Sequence, residues 1–236
     1  MTYLDKKPLA LVTGASRGIG ASIAKGLAKK GIHVIILART IGALEEINDE
    51  ITGDGGSCTI VAMDLLDYPA IDRLGASIFE RWGKLDILIG NAAILGQLSP
   101  IHHYDPKIWD EVMGINLTAN YRLIRSLDPL LRLSKNGRVI FISSNISDGS
   151  HPYWGAYAAS KAALETIAKV YSAETERLDL KINILDPGKT RTSLRAGAFP
   201  GEDPSKNKSS DEVMHFVLKI LSDDYIDNGY ILNYRE

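Results

Sequence analysis

Short apolar runs punctuate this chain at intervals: LALVTG (9–14), HVIILA (33–38), CTIVAM (58–63), LDILIG (85–90), RVIFIS (138–143) and KINILD (181–186). They are rich in Val, Ile and Leu and nearly continuous rather than alternating, the pattern of strands covered on both faces. Between them the apolar positions fall at helical spacing over 18–30, 41–52, 69–82, 105–133 and 155–178. NGYILNY (228–234) predicts a last strand. Strand and helix in steady alternation predict an α/β fold, a parallel sheet with right-handed crossovers and helices on both sides. No Pro/Gly/Ser-rich linker and no repeat divides the chain, so residues 1–236 are expected to form one domain. Only 187–210, PGKTRTSLRAGAFPGEDPSKNKSS, lacks a clear period, and it is expected to be a long mobile loop.

Composition narrows the picture by exclusion. A formal net charge of −2 gives no general pull toward nucleic acid or an anionic membrane, and neither is expected as a partner. Cys58 is the single cysteine, which rules out an intrachain disulfide and points to a reducing, cytoplasmic setting. No apolar run approaches the ~20 residues of a membrane span. His102, His103 and His151 invite a metal reading, but adjacent residues share no face and no Cys or carboxylate stands at ligand spacing, so none is expected.

The first predicted strand runs straight into TGASRGIG (13–20) and then into a helix. Gly14, Gly18 and Gly20 let a phosphate approach the backbone at a tight strand-to-helix turn, and the helix N-terminus offers it free N–H groups. A dinucleotide is the expected ligand. In NAD-binding chains an acid at the end of the second strand takes the ribose hydroxyls. Here that strand ends ILART (36–40), with Arg39 and no carboxylate. An arginine pairs with a 2′-phosphate where an acid repels it, and Arg17 in the glycine loop is placed to help. NADP(H) is therefore expected over NAD(H), which stands as the secondary expectation.

AYAASK (156–161) sets Tyr157 and Lys161 four residues apart on one helix face. A phenol ionises near ~10, but a nearby ammonium and a bound, positively charged nicotinamide would favour the phenolate. FISSN (141–145) brings Ser144 to the carboxyl end of its strand, where open parallel sheets place their ligand crevice. Alternation turns its neighbour Ser143 to the other face.

Taken together, TGASRGIG, MDL (63–65), GNAA (90–93), Asn116 in GINL, ISS (142–144), YAASK (157–161) and DPGKTRT (186–192) resemble the short-chain dehydrogenase/reductase family over almost the whole chain. The resemblance implies a Rossmann-type three-layer α/β/α sandwich with a mostly parallel, doubly wound sheet of about seven strands. It implies hydride transfer between NADP(H) and a small carbonyl or alcohol substrate. Tyr157 would be the general acid/base and Ser144 the partner of the substrate oxygen. Lys161 would hold the nicotinamide ribose and lower the tyrosine pKa, and Asn116 would position a helix carbonyl and a water in a proton relay. The resemblance assigns cofactor binding to Gly14, Ser16, Arg17, Gly18, Ile19, Gly20, Arg39, Asp64, Leu65, Asn91, Ala92, Tyr157, Lys161, Pro187, Gly188 and Thr192. Asp64 also reads as a helix N-cap, and Asn116 as a buried amide bonded to backbone.

The family commonly carries Asn-Asn-Ala-Gly where this chain has Gly90-Asn91-Ala92-Ala93. Residues 189–210 would be a substrate flap, with Leu194 and Phe199 as its apolar elements. The charges of Arg195, Lys206 and Lys208, offset by Glu202, Asp203 and Asp211, read as a solvated surface. Trp154 and Tyr153 are candidates for the pocket wall. The alternatives are a 3-oxoacyl-[acyl-carrier-protein] reductase and a non-catalytic NADP(H) sensor. The family implies a homodimer or homotetramer; a dimer through the two long helices is favoured because no glycine-rich tail follows YILNYRE.

Overall fold

The computed structural model describes residues 7–234; residues 1–6 and 235–236 of the expected domain lie outside the described residues. Its strands are β1 Leu9–Thr13, β2 His33–Ala38, β3 Ser57–Ala62, β4 Ile87–Gly90, β5 Gly137–Ile142, β6 Leu180–Asp186 and β7 Ile231–Asn233. They form one seven-stranded sheet in the order β3-β2-β1-β4-β5-β6-β7. Every pairing is parallel.

The unbroken apolar runs are explained by two cores. Leu9 and Leu11 of β1 face one layer, and Ala10 and Val12 face the other. The first layer is closed by α3 (Tyr68–Trp82), α5 (Ala119–Leu131) and α6 (Gly155–Glu174), through Leu74, Leu123 and Leu164 among others. The second is closed by α1 (Gly18–Lys29), α2 (Ile41–Gly53) and α8 (Ser210–Ile220), through Ile23, Leu44 and Val217. This is the doubly wound Rossmann arrangement. Its winding reverses between β1 and β4, which opens a crevice beyond the carboxyl ends of those strands.

Three elements depart from the sequence expectation. The long helix over 105–133 is interrupted: α4 spans Pro106–Met113, a π-turn covers Gly114–Thr118, and α5 follows. The helix over 155–178 ends at Glu174. Within 187–210 the chain forms α7 (Ser193–Ala198) and a 3₁₀ turn at Pro204–Lys206. α8 had no counterpart in the sequence reading, although its signals are local. Ser209 and Glu212 form a reciprocal capping box, and Val213, Val217 and Ile220 repeat on one buried face.

No helix among the described residues is long and apolar enough to cross a membrane.

Candidate active site

The carboxyl ends of the strands deliver the glycine loop, the GNAA segment, Ser144 and the Pro187–Gly188 turn to one cleft of about 1050 Å³. Of the sequence-predicted residues, Gly14, Ser16, Arg17, Gly18, Ile19, Arg39, Asp64, Leu65, Asn91, Ala92, Ser144, Tyr157, Lys161, Pro187, Gly188 and Thr192 line it. Gly20 and Asn116 stand behind the wall and shape it. A second hollow, about 650 Å³, lies at the amino end of the strands beside Asp86 and Arg138. There Asp86 accepts from Leu9 N, Lys84 Nζ and Ser134 Oγ, so it is spent on structure.

The glycine loop is packed as well as open. Gly14 has φ of 64°, and a Cβ there would sit 2.9 Å from both Ala92 Cα and Asn91 Nδ2. A Cβ on Gly20 would meet Gly14 O at 2.3 Å and Asn91 Nδ2 at 2.5 Å. These two glycines are therefore required by the loop's own closure, whereas a Cβ on Gly18 would meet only Thr192, at 3.5 Å and beyond. Asn91 supports the turn: its Nδ2 donates to Thr13 O (2.8 Å) and Gly14 O (3.3 Å). Thr13 Oγ1 accepts from the backbone N–H of Asn91 (3.0 Å) and Ala92 (3.1 Å). The sequence reading passed over Thr13, although it opens the TGASRGIG motif. Gly90 stands where the family pattern has Asn because Phe141 fills the space; a Cβ would lie 2.4 Å from its ring.

α1 starts beyond Arg17 with no acid in its first turn, so its positive end faces the cleft. Arg39 is largely exposed, 3.7 Å from the Asp64 carboxylate. Asp64 also accepts from Leu66 N at 3.0 Å and makes a local turn. It does not cap α3; Asp67 does, accepting from Ala70 N. The N-cap reading of Asp64 is corrected accordingly.

At the other end of the cleft Tyr157 and Lys161 rise from α6, both buried. Burial pushes the Tyr157 phenol up, the Asp186 carboxylate adds to this, and a hydrogen bond with Ser144 acts the other way. Burial thus favours the neutral phenol; the lowered value is expected with a positively charged nicotinamide bound beside it. Lys161 lies 5.7 Å from the Tyr157 ring centroid, and its Nζ donates to Ile142 O at 2.6 Å. Burial brings the Lys161 ammonium down to about 8, and Glu165 opposes the shift. Ser144, two residues beyond β5, is in extended backbone (φ −164°) and caps the 3₁₀ turn Asn145–Asp148. Ser143, expected to turn to the other face, also lines the cleft and donates to Glu165 Oε1 of α6 at 2.5 Å. Asp186, passed over in the sequence reading, fixes the Pro187–Gly188 turn by accepting from Gly188 N at 2.9 Å.

Asn116 is fully buried in the π-turn. Its Oδ1 accepts from Ile94 N (2.9 Å), and its Nδ2 donates to Ile94 O (3.0 Å) and Ser160 Oγ (3.0 Å). Ser160 in turn donates to Tyr157 O at 2.8 Å. The side chain is a strut joining the β4 exit to the α6 turn that carries Tyr157. Its main-chain carbonyl accepts from Asn120 Nδ2 at 2.9 Å.

Only part of the flap's charge is a solvated surface: Asp203, Lys206 and Asp211 are exposed, but the others are engaged. Arg195 donates twice to Glu202 at 2.6 Å each, and Lys208 is buried with Nζ donating to Tyr234 O at 2.6 Å. Trp154 lines the cleft, but Tyr153 points outward, 59% exposed.

The residues suit a dinucleotide. A wall of glycines and a free helix N-terminus face one end, the Asn91–Ala92 segment the middle, and Lys161 and Tyr157 the other end. The comparisons agree. The sequence signature of the short chain dehydrogenase family matches residues 8–203, and the chain belongs to that family of oxidoreductases. YciK, an oxidoreductase of Escherichia coli K12, is 37% identical over 217 residues, spanning 91% of this chain and 86% of that protein. A short chain dehydrogenase from Salmonella enterica serovar Typhi superposes with a TM-score of 0.93 at 34% identity, covering 100% of this chain and 99% of that one. One from Shigella flexneri 2a, solved in complex with NADP, gives 0.91 at 35% identity and 99% of both chains. Another from Escherichia coli CFT073, in complex with NADPH, gives 0.91 at 35% identity and 97% of both.

Proposed function

We propose that this protein is an NADP(H)-dependent oxidoreductase that interconverts a small carbonyl compound and its alcohol, with Tyr157 as general acid/base. The observation that carries the reading is the buried Tyr157 phenol, with Lys161 Nζ 5.7 Å from its ring centroid and Ser144 lining the same dinucleotide-sized cleft. Arg17 and Arg39 would hold the 2′-phosphate, the α1 N-terminus the pyrophosphate, Asp64 and Leu65 the adenine, and Lys161 the nicotinamide ribose. NADPH, when bound, supplies the hydride. In reduction, negative charge develops on the substrate oxygen. Ser144 is placed to hydrogen-bond that oxygen, and the neutral phenol has a proton to give it. In oxidation Tyr157 must instead be the base, and the neighbouring Lys161 ammonium favours the phenolate. Asn116 and Ser160 keep the tyrosine's turn in place.

The two relatives solved with NADP and NADPH support the cofactor. The carrier-protein reading loses support because Arg195 and Lys208 are engaged inside the fold. A sensor would have no use for the Ser144–Tyr157 pair.

The test is Tyr157→Phe. Carbonyl reduction, followed by NADPH consumption, should fall about 10²- to 10⁴-fold while NADPH affinity is kept. Turnover that survives would remove Tyr157 from this role.

A further inference from the structure

The proposed mechanism leaves one charged side chain beside the site without a task. Tyr157, Lys161 and Glu165 stand at four-residue spacing on one face of α6. Against that face lie Ile142, the last residue of β5, and the two serines after it. Each of these three engages a different residue of the helix. The Ile142 carbonyl accepts from Lys161 Nζ at 2.6 Å, and Ser143 Oγ donates to Glu165 Oε1 at 2.5 Å. Ser144 acts on the Tyr157 phenol.

Lys161 is 2% exposed, and the partner its Nζ holds is a neutral carbonyl. An ammonium enclosed in this way is costly unless an opposite charge stands near. Glu165 lies one helical turn on, at a spacing that brings side chains together. The buried Ser143 hydroxyl, with one proton to give, fixes the carboxylate in place.

The other charged groups around this face are engaged elsewhere. Asp186, at the end of β6, acts on Tyr157. Asp148, in the 3₁₀ turn packed on α6, accepts from Ser150 and stands 3.7 Å from His151. Glu111 of α4 and Lys189 line the cleft, and Lys169, a further turn along α6, is exposed. The carboxyl end of β5 and the π-turn present no charged side chain. Of all these groups, Glu165 is the one whose charge favours the Lys161 ammonium.

We propose that Glu165 is a positioning residue: held by Ser143, it supplies the counter-charge that keeps Lys161 an ammonium in the cleft. This rests on the reading above, in which Lys161 holds the nicotinamide ribose and favours the Tyr157 phenolate. Glu165 stands behind the cleft wall and acts through Lys161. Burial has already brought Lys161 down to about 8, so without Glu165 its titration moves toward neutral pH. The ammonium, and the ribose contact it makes, would then be lost at a lower pH.

The experiment follows Lys161 directly, by nitrogen-15 titration of lysine-labelled protein without cofactor, in the wild type, Glu165→Gln and Glu165→Asp. The Lys161 signal is assigned by its absence in Lys161→Met. Glutamine keeps an oxygen that accepts from Ser143, so the charge alone is removed. The wild-type midpoint should lie at about 8. In Glu165→Gln it should lie about one pH unit lower, and Glu165→Asp should stay close to the wild type. NADPH titrations should agree: at about pH 6 the wild type and Glu165→Gln bind alike, and at about pH 8 the variant binds about fivefold more weakly. Equal Lys161 midpoints in the wild type and Glu165→Gln would overturn the proposal. So would a loss of NADPH affinity that is the same at both pH values, which a purely structural role would give. A wild type that binds no NADPH would instead overturn the functional reading, and the nitrogen-15 midpoints would still decide whether Glu165 holds the charge.

Discussion

At Tyr157 burial and the Asp186 carboxylate hold the proton on, and the Ser144 hydrogen bond pulls the other way. In the proposed mechanism a single oxygen decides turnover, and a phenylalanine would keep the shape. Glu202 is the converse case. Arg195, and after it Asn207, hold its carboxyl down at about 2, against an ordinary 4.5. A depressed acid adds stability to the flap above its ordinary value, and that stability is lost as pH falls through about 2. A carbon-13 titration of the Glu202 carboxyl should therefore show a midpoint near the lower value, returning toward the ordinary one in Arg195→Gln. An unshifted midpoint in the wild type would mean the pair does not hold in solution. Residue identity made Tyr157, Lys161 and Ser144 legible in the sequence, because their chemistry is carried by type and spacing. The Arg195–Glu202 pair was not, since a loop without a period gives no rule for which charges meet.

The π-turn is the feature that matters most among the elements. An extra residue in the helix ladder turns Asn116 inward, where it ties Ile94 to Ser160. Asn116→Ala would leave the half-buried Ile94 N–H and C=O without this partner, at about 1–3 kcal/mol for each group left unsatisfied, while Ser160 keeps its bond to Tyr157 O. A Tm several degrees lower is expected, together with a fall in kcat larger than any rise in KM for the carbonyl substrate. An unchanged Tm would show that the strut carries no load. The strands were readable because a buried parallel sheet demands continuous apolar runs. The helix break was not, because GINL keeps helical spacing on both sides of it. α8 was readable in principle from Ser209, Glu212 and its apolar face, but the flap before it masked where periodicity resumes.

The fold class follows from the alternation of elements, and the strand order puts the crevice at the β1/β4 reversal. Association is a different matter, because a lone chain carries no direct signal of its partner. We propose a homodimer through α5 and α6, where Tyr121 (53% exposed) and Val170 (51% exposed) present large apolar side chains to the surface. Sedimentation should give a dimer, and Tyr121→Lys combined with Val170→Glu should give a folded monomer. A monomeric wild type would overturn this assembly.

The central claim is that the cleft takes NADP(H) through Arg39 and Tyr157's neighbours. Its most direct test is a binding titration of the wild type and Arg39→Ala with NADPH and, separately, NADH. The account predicts tighter binding of NADPH by the wild type, and a loss of about ten- to a hundredfold for NADPH alone in the variant, the scale of a charge-assisted bond. Equal affinities for the two cofactors, or equal losses in the variant, would contradict it.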